Sequence, residues 1–225
     1  KYGANILIVP KTDNLSLSYG GLSLGGVSFE MQEIRQAELA GIQSIKNARN
    51  VAAVGPLVLG GIQVETNRVL LAGIDFKAAR ILKPWWKVKG EIPGDQSILL
   101  GAEGARILNL SRGKTIIINN RKLKVSGVLE PTGSQDDQLV FARLKTAQTL
   151  LAKEGKLSMV EVAALCNACP VEEMVKQISE VLPGAKVMAI QQVVKGRMET
   201  LEQFRKFSYG ISAVVILIGG LVVLV

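Results

Sequence analysis

The chain has 225 residues, of which 48% are apolar, 20% charged and 4% aromatic, with a net charge of +8. That composition excludes a disordered chain and suits one large domain or two small ones. The absence of histidine excludes His-based triads, His-ligated metals and c-type haem attachment, and the Lys and Arg residues are interspersed with acids rather than gathered into a nucleic-acid patch.

Residues 4–10 (ANILIVP) form a β-branched apolar run closed by Pro10, which predicts a buried strand. The Ser- and Gly-rich stretch 16–26 predicts a loop or loose hairpin, with Ser28 capping a helix after it. Between 29 and 47, Met31, Ile34, Ala37 and Ile45 recur near helical spacing, and Glu30 and Glu33 suit a helix N-terminus. Residues 51–64 and 68–74 are β-rich and flank Glu65-Thr66-Asn67, predicting a hairpin with a bulge at Gly60-Gly61.

The texture changes near Phe76. Pro84-Trp85-Trp86, Gly90 and Pro93-Gly94 precede a predicted strand at 97–100 and a short helix at 102–110. Residues 114–119 and 122–129 flank Asn119-Asn120-Arg121 as a second hairpin, and Glu130-Pro131-Thr132-Gly133 closes this segment with a turn. Strands at 139–142, 157–165 and 185–190 then alternate with helices at 144–153 and 171–182.

Residues 191–206 are charged and free of proline, with an apolar stripe of Val194, Met198, Leu201 and Phe204 that predicts a helix. Residues 211–225 carry no charge, and with 207–210 they approach the roughly 20 residues that cross a bilayer. We therefore expect this helix to enter the membrane and to continue past Val225, and the opening Lys1-Tyr2 to follow residues upstream. Arg205-Lys206, Phe207 and Tyr209 fit an anchor at the lipid headgroups.

Several motifs carry possible chemistry. Arg112-Gly113-Lys114-Thr115 copies the tail of a phosphate-binding loop, but Leu108 stands where the first glycine is needed and a strand former follows, so an exposed turn is expected. Cys166 and Cys169 form a C-x-x-C pair just before Pro170, for which a structural disulfide, a redox dithiol and a metal site completed by a second chain are competing readings. Asp136-Asp137 reads as a solvated turn, its neighbouring carboxylates pointing to opposite faces. Trp85 and Trp86 cannot both face one core, so they are either a partner contact or a cap over a subdomain junction. No residue is a candidate for catalysis, and no cofactor is expected.

Taken in order, GANILIVPK from Gly3, GIDF from Gly73, SILLGAEGARILNLSRGKTIIINNRKLKVSGVLEPTGSQDDQLVF from Ser97 and the terminal apolar run resemble the MacB-like periplasmic core domain. That domain occurs in ABC-transporter permeases of the FtsX-like superfamily. The resemblance implies an α+β fold, with a porter-like α/β subdomain (1–75 and 136–190) and an inserted β-rich, sabre-like subdomain (76–135). It further implies a stalk helix (191–207) and the start of a transmembrane helix (208–225).

By the same resemblance, the chain is non-catalytic and stands on the periplasmic or extracellular side of a bacterial cell membrane. The expected partners are an ABC ATPase, a second or paired permease and a periplasmic adaptor, with no nucleic acid. ATP hydrolysis on the partner would drive export, or lipid or lipoprotein extraction, by mechanotransmission. The alternatives are a membrane-anchored thiol redox or metal-binding protein using Cys166 and Cys169, and an FtsX-type ectodomain that activates a cell-wall hydrolase.

Overall fold

Alternating burial along parts of residues 51–64 and 121–129, with shorter strands buried continuously, produces a sheet dressed by short helices. The computed structural model describes residues 3–11, 15–19, 22–27, 33–165 and 171–190. In chain order the elements are β1 (Ile6–Pro10), β2 (Leu15–Tyr19), β3 (Leu22–Val27), β4 (Ile34–Arg35), 3-10 helices at Gln36–Ser44 and Ala48–Asn50, β5 (Val51–Val64), β6 (Asn67–Ile74) and α1 (Phe76–Leu82). The middle of the chain supplies β7 (Val88–Gly90), β8 (Ser97–Leu100), α2 (Ala102–Ile107), β9 (Thr115–Ile118) and β10 (Arg121–Leu129). A 3-10 turn at Gln135–Gln138 leads to β11 (Leu139–Arg143), α3 (Leu144–Leu150), β12 (Lys156–Leu157), β13 (Met159–Ala164), α4 (Val171–Val181) and β14 (Ala185–Ala189).

Ten strands form one sheet in the order β14-β1-β13-β5-β6-β11-β8-β10-β7, with β9 also paired to β10. Most neighbours are antiparallel, but β6–β11 and β8–β10 are parallel. Parallel neighbours need a crossover, and the one between β6 and β11 carries α1, β7 to β10 and α2. The fold is thus mixed α and β.

Apolar clusters pack on both faces of the sheet. Ile6, Ile8, Val160 and Val162 lie under α4, whose Met174 and Ile178 are wholly buried. Val58, Ile62 and Leu71 share a core with Ile98, Ile116, Ile118, Val125 and Ala147 of α3. On the opposite face, Leu57, Ala72, Ile74, Leu99 and Phe141 pack with Phe76 and Ala79 of α1. Each fully buried aliphatic or aromatic side chain contributes about 1.5–3 kcal/mol.

The predicted strand at 97–100 and both hairpins are present. Asn119 and Asn120 have φ of 47° and 62°, the conformation that a tight two-residue hairpin turn requires. No bulge occurs at Gly60-Gly61, since β5 and β6 pair without a register shift. Gly60 instead follows from helix packing, since a Cβ there would run into Leu151, and so does Gly73, where one would overlap Ala147 and come 2.7 Å from Val58. The helix expected over 29–47 is, in its described part, β4 and a 3-10 helix, because Ile34 and Arg35 are drawn into pairing with β12. Ser28 and Glu30 lie outside the described residues.

Candidate functional site

β1 and β14 meet at one end of the sheet. Their ladder pairs Ile6 with Ala189 and Pro10 with Ala185, so the start of β1 and the end of β14 lie side by side, and the Ile190 N–H donates to the Asn5 carbonyl at 2.9 Å. The Asn5 side chain closes this end. Its Nδ2 donates to the Ala164 carbonyl at 2.8 Å and its Oδ1 accepts from the Ala164 N–H at 2.9 Å. One carboxamide thereby stands in for one peptide group and extends the β1–β13 ladder. The Leu165 N–H reaches the Asn50 carbonyl at 2.7 Å, which ties the start of β5 to the same end. None of these bonds involves a charged group.

A second, charged cluster lies where the crossover leaves and returns. Asp75 caps α1, its Oδ1 accepting from the Lys77 and Ala78 amides at 2.7 and 3.4 Å. Lys83 ends the helix, and Pro84 stops the chain from continuing it. Lys83 Nζ then sits 3.5 Å from Asp136, 3.3 Å from Glu161 and 5.5 Å from the centre of the Trp86 ring. The three ionic side chains are only 12–20% exposed. Trp86 Nε1 donates to Asp136 at 2.9 Å, and its ring meets Phe141 edge-on at 4.8 Å. The Glu130 N–H donates to the Lys87 carbonyl at 2.8 Å beside them, so the neck of the segment between Lys83 and Asp136 is stapled shut.

The structure separates the two tryptophans. Trp86 is half-buried in the neck, while Trp85 is 52% exposed and lies against Gly3 at the chain-exit end. Asp136 and Asp137 do not form the solvated turn that their sequence context predicts. As neighbours they point apart, Asp136 to the neck and Asp137 into its own loop, where it accepts from the Thr132 N–H (2.9 and 3.1 Å), Thr132 Oγ1 (2.8 Å) and the Gly133 N–H (2.9 Å). Burial raises the pKa of this carboxyl, but those donors outweigh burial and hold it below the usual carboxylate value. Glu33 is lowered in the same way, burial being offset by Lys153 at 2.8 Å and Lys156 at 3.0 Å.

Cys166 and Cys169 lie outside the described residues, as do Val194, Met198, Leu201 and Phe204. Among the described residues no three His, Cys, Asp or Glu side chains gather as metal ligands, and no helix is long and apolar enough to cross a membrane. Arg112 to Lys114 form an exposed turn with Gly113 at φ +91°, and Thr115 opens β9. Asn5, Lys83 and Glu161 are the residues that sequence reasoning passed over. The one signal was Asn5, a polar residue at the head of an apolar strand.

The sequence matches the family model of the MacB-like periplasmic core domain over residues 3–181. The chain belongs to this family. Two solved structures resemble this MacB-like core domain. The periplasmic region of MacB from Actinobacillus actinomycetemcomitans aligns at 16% identity over 88% of this chain and 94% of that one, with a TM-score of 0.60. The extracellular domain of the ABC-type transporter YknZ from Gram-positive bacteria aligns at 13% identity over 82% and 98%, with a TM-score of 0.56. No curated protein matches the sequence. As a MacB-like core domain, the chain is the periplasmic part of an ABC-transporter permease, and it stands on the extracytoplasmic side of a bacterial membrane.

Proposed function

We propose that this domain transmits movement rather than performing chemistry. ATP hydrolysis by an associated ABC ATPase moves the membrane part of the permease, and the displacement reaches the sheet through the segments that flank β1 and β14. The observation that supports this reading is the side-by-side exit of those two strands, with Ile190 bonded to Asn5 and Asn5 bonded to Ala164. When both flanks move together, load enters the sheet as a unit. When they separate, the β1–β14 hydrogen bonds are loaded one at a time, starting at Asn5.

In the same proposal, 1–75 with 136–190 is the porter-like part, 76–135 the sabre-like part and 191–207 the stalk. The stapled neck keeps the first two moving as one body. A paired permease, usually a second copy, and an adaptor above it complete an exporter or an extractor of lipids or lipoproteins.

The test needs no substrate. Spin labels at exposed Ile117 in the two permease copies, reconstituted with the ATPase in nanodiscs, report a distance that changes on ATP binding. A flexible Gly-Ser linker inserted after Ile190 should abolish that change while ATP hydrolysis persists. A distance that never responds to ATP, or that still responds with the linker present, overturns the proposal.

A further inference from the structure

The β5–β6 hairpin has one covered face and one bare face. On the covered side, Ile62 and Val64 are 5% and 2% exposed, and Gly60 and Gly73 make room for the α3 region. On the other side, beyond the reach of α1 and Trp86, lies an open groove of about 670 Å³. Its floor is Leu59, Gly61 and Leu70 with Leu139 of β11, and Ile107 of α2 forms a wall. Leu70 and Ile107 are 50% and 49% exposed.

Gly61 sets this groove apart from the packed surfaces. A Cβ at Gly60 would strike Leu151, whereas a Cβ at Gly61 would meet nothing within 4 Å. The fold therefore does not require glycine at 61, although glycine weakens a strand relative to a residue with a side chain. What the bare backbone does provide is depth, because it keeps the floor open between Leu59 and Leu70.

Arg68 is the one charged side chain lining the groove, and it makes no ion pair or side-chain hydrogen bond among the described residues. The remaining polar groups of the lining are neutral glutamine amides. The volume falls within the roughly 300–1,000 Å³ of small-molecule sites. The apolar floor is far short of the roughly 20–30 residues per side that a stable protein interface uses.

We propose that this groove binds a small, largely apolar molecule carrying a single negative charge, its apolar body over Leu59, Leu70, Leu139 and Ile107 and its anionic end at Arg68. The inference is independent of the coupling role, so the failure of either leaves the other standing.

The test uses the full chain in nanodiscs with Leu and Ile methyl groups labelled for NMR. Two probes are titrated, naphthalene-2-sulfonate and its neutral sulfonamide. The sulfonate should shift the methyls of Leu59, Leu70, Ile107 and Leu139 saturably. Arg68→Gln should weaken sulfonate binding by about tenfold and leave the sulfonamide unchanged, since charge-assisted bonds of this kind are worth a little over one decade in affinity. Gly61→Val should abolish binding of both probes while the melting temperature holds, because valine favours the strand and fills the floor. Leu70→Gln, at a half-exposed position, serves as a second blocking variant. Non-saturable shifts overturn the proposal, as do full binding by both blocking variants or equal binding of the two probes. Equal binding would mark the face as a contact for an uncharged partner.

Discussion

At the end of the sheet where the chain enters and leaves, Asn5, Ala164, Leu165 and Ile190 are joined by uncharged hydrogen bonds; at the neck of the crossover, Lys83 is wedged between Asp136 and Glu161 under the Trp86 ring. Neutral hydrogen bonds add up one by one and respond little to salt. A poorly solvated ionic cluster is stable only while every member is present, because losing one leaves the others desolvated and unpaired. The exit is therefore redundant, with a ladder running from Ile6–Ala189 to Pro10–Ala185 behind a single side chain. The neck concentrates its function in a single ammonium group.

The largest effect that would test this contrast comes from Lys83→Ala, which leaves Asp136 and Glu161 without their shared cation. We expect a loss of about 3 kcal/mol in urea unfolding. A loss under about 1 kcal/mol would make the neck no different from a surface ion pair.

Asp137→Ala comes next, at about 2 kcal/mol, because the Thr132 and Gly133 donors lose their acceptor. Thermal melting reads this directly, and an unchanged transition would mean that the loop is held by other contacts. Asn5→Ala should cost about 1–2 kcal/mol, with faster amide exchange at Ala164 and unchanged exchange at Val125. Comparable loss of protection at both amides would show that the exit is not a local clamp.

The smallest effect is in acid. Asp137 and Glu33 are both held below their ordinary pKa in the folded chain, so the unfolded chain binds their protons more readily. Their stabilisation is complete above about pH 5 and is lost as pH falls through the lower folded values. Asp137→Asn and Glu33→Gln should each flatten the acid limb of stability against pH. A limb unchanged by either substitution removes these carboxylates from the account.

Features specified by adjacent residues were legible in the sequence. Asn119-Asn120 announces its turn, and the apolar runs at 97–100 and 185–190 announce their strands. Helix α1 was not announced by periodicity, since Phe76–Leu82 is too short to display one, although its cap, Asp75, stands in plain view. The segment Gln36–Ser44 carries helical spacing, but the pairing of β4 with β12 and the close approach of Val181 to Gly41 favour a 3-10 form there.

At the candidate site, the splitting of Trp85 from Trp86 followed from their adjacency, although they stand in the loop after α1 and not in a strand. The partners of Asp136 did not, because Trp86 lies 50 residues upstream. Lys83 and Glu161 are ordinary surface residues in one dimension, and only the sheet order brings them together.

The position of β1 between β13 and β14 has a consequence for biogenesis. Asn5 and Ala164 are separated by 159 residues, so the earliest strand waits unpaired until nearly the whole fold has been delivered across the bilayer. Closing so long a loop is slow, although each further residue adds little entropic cost. Until then ILIV is an unpaired apolar strand, open to non-native pairing. Maturation is complete only when β13 and β14 have arrived on either side of it.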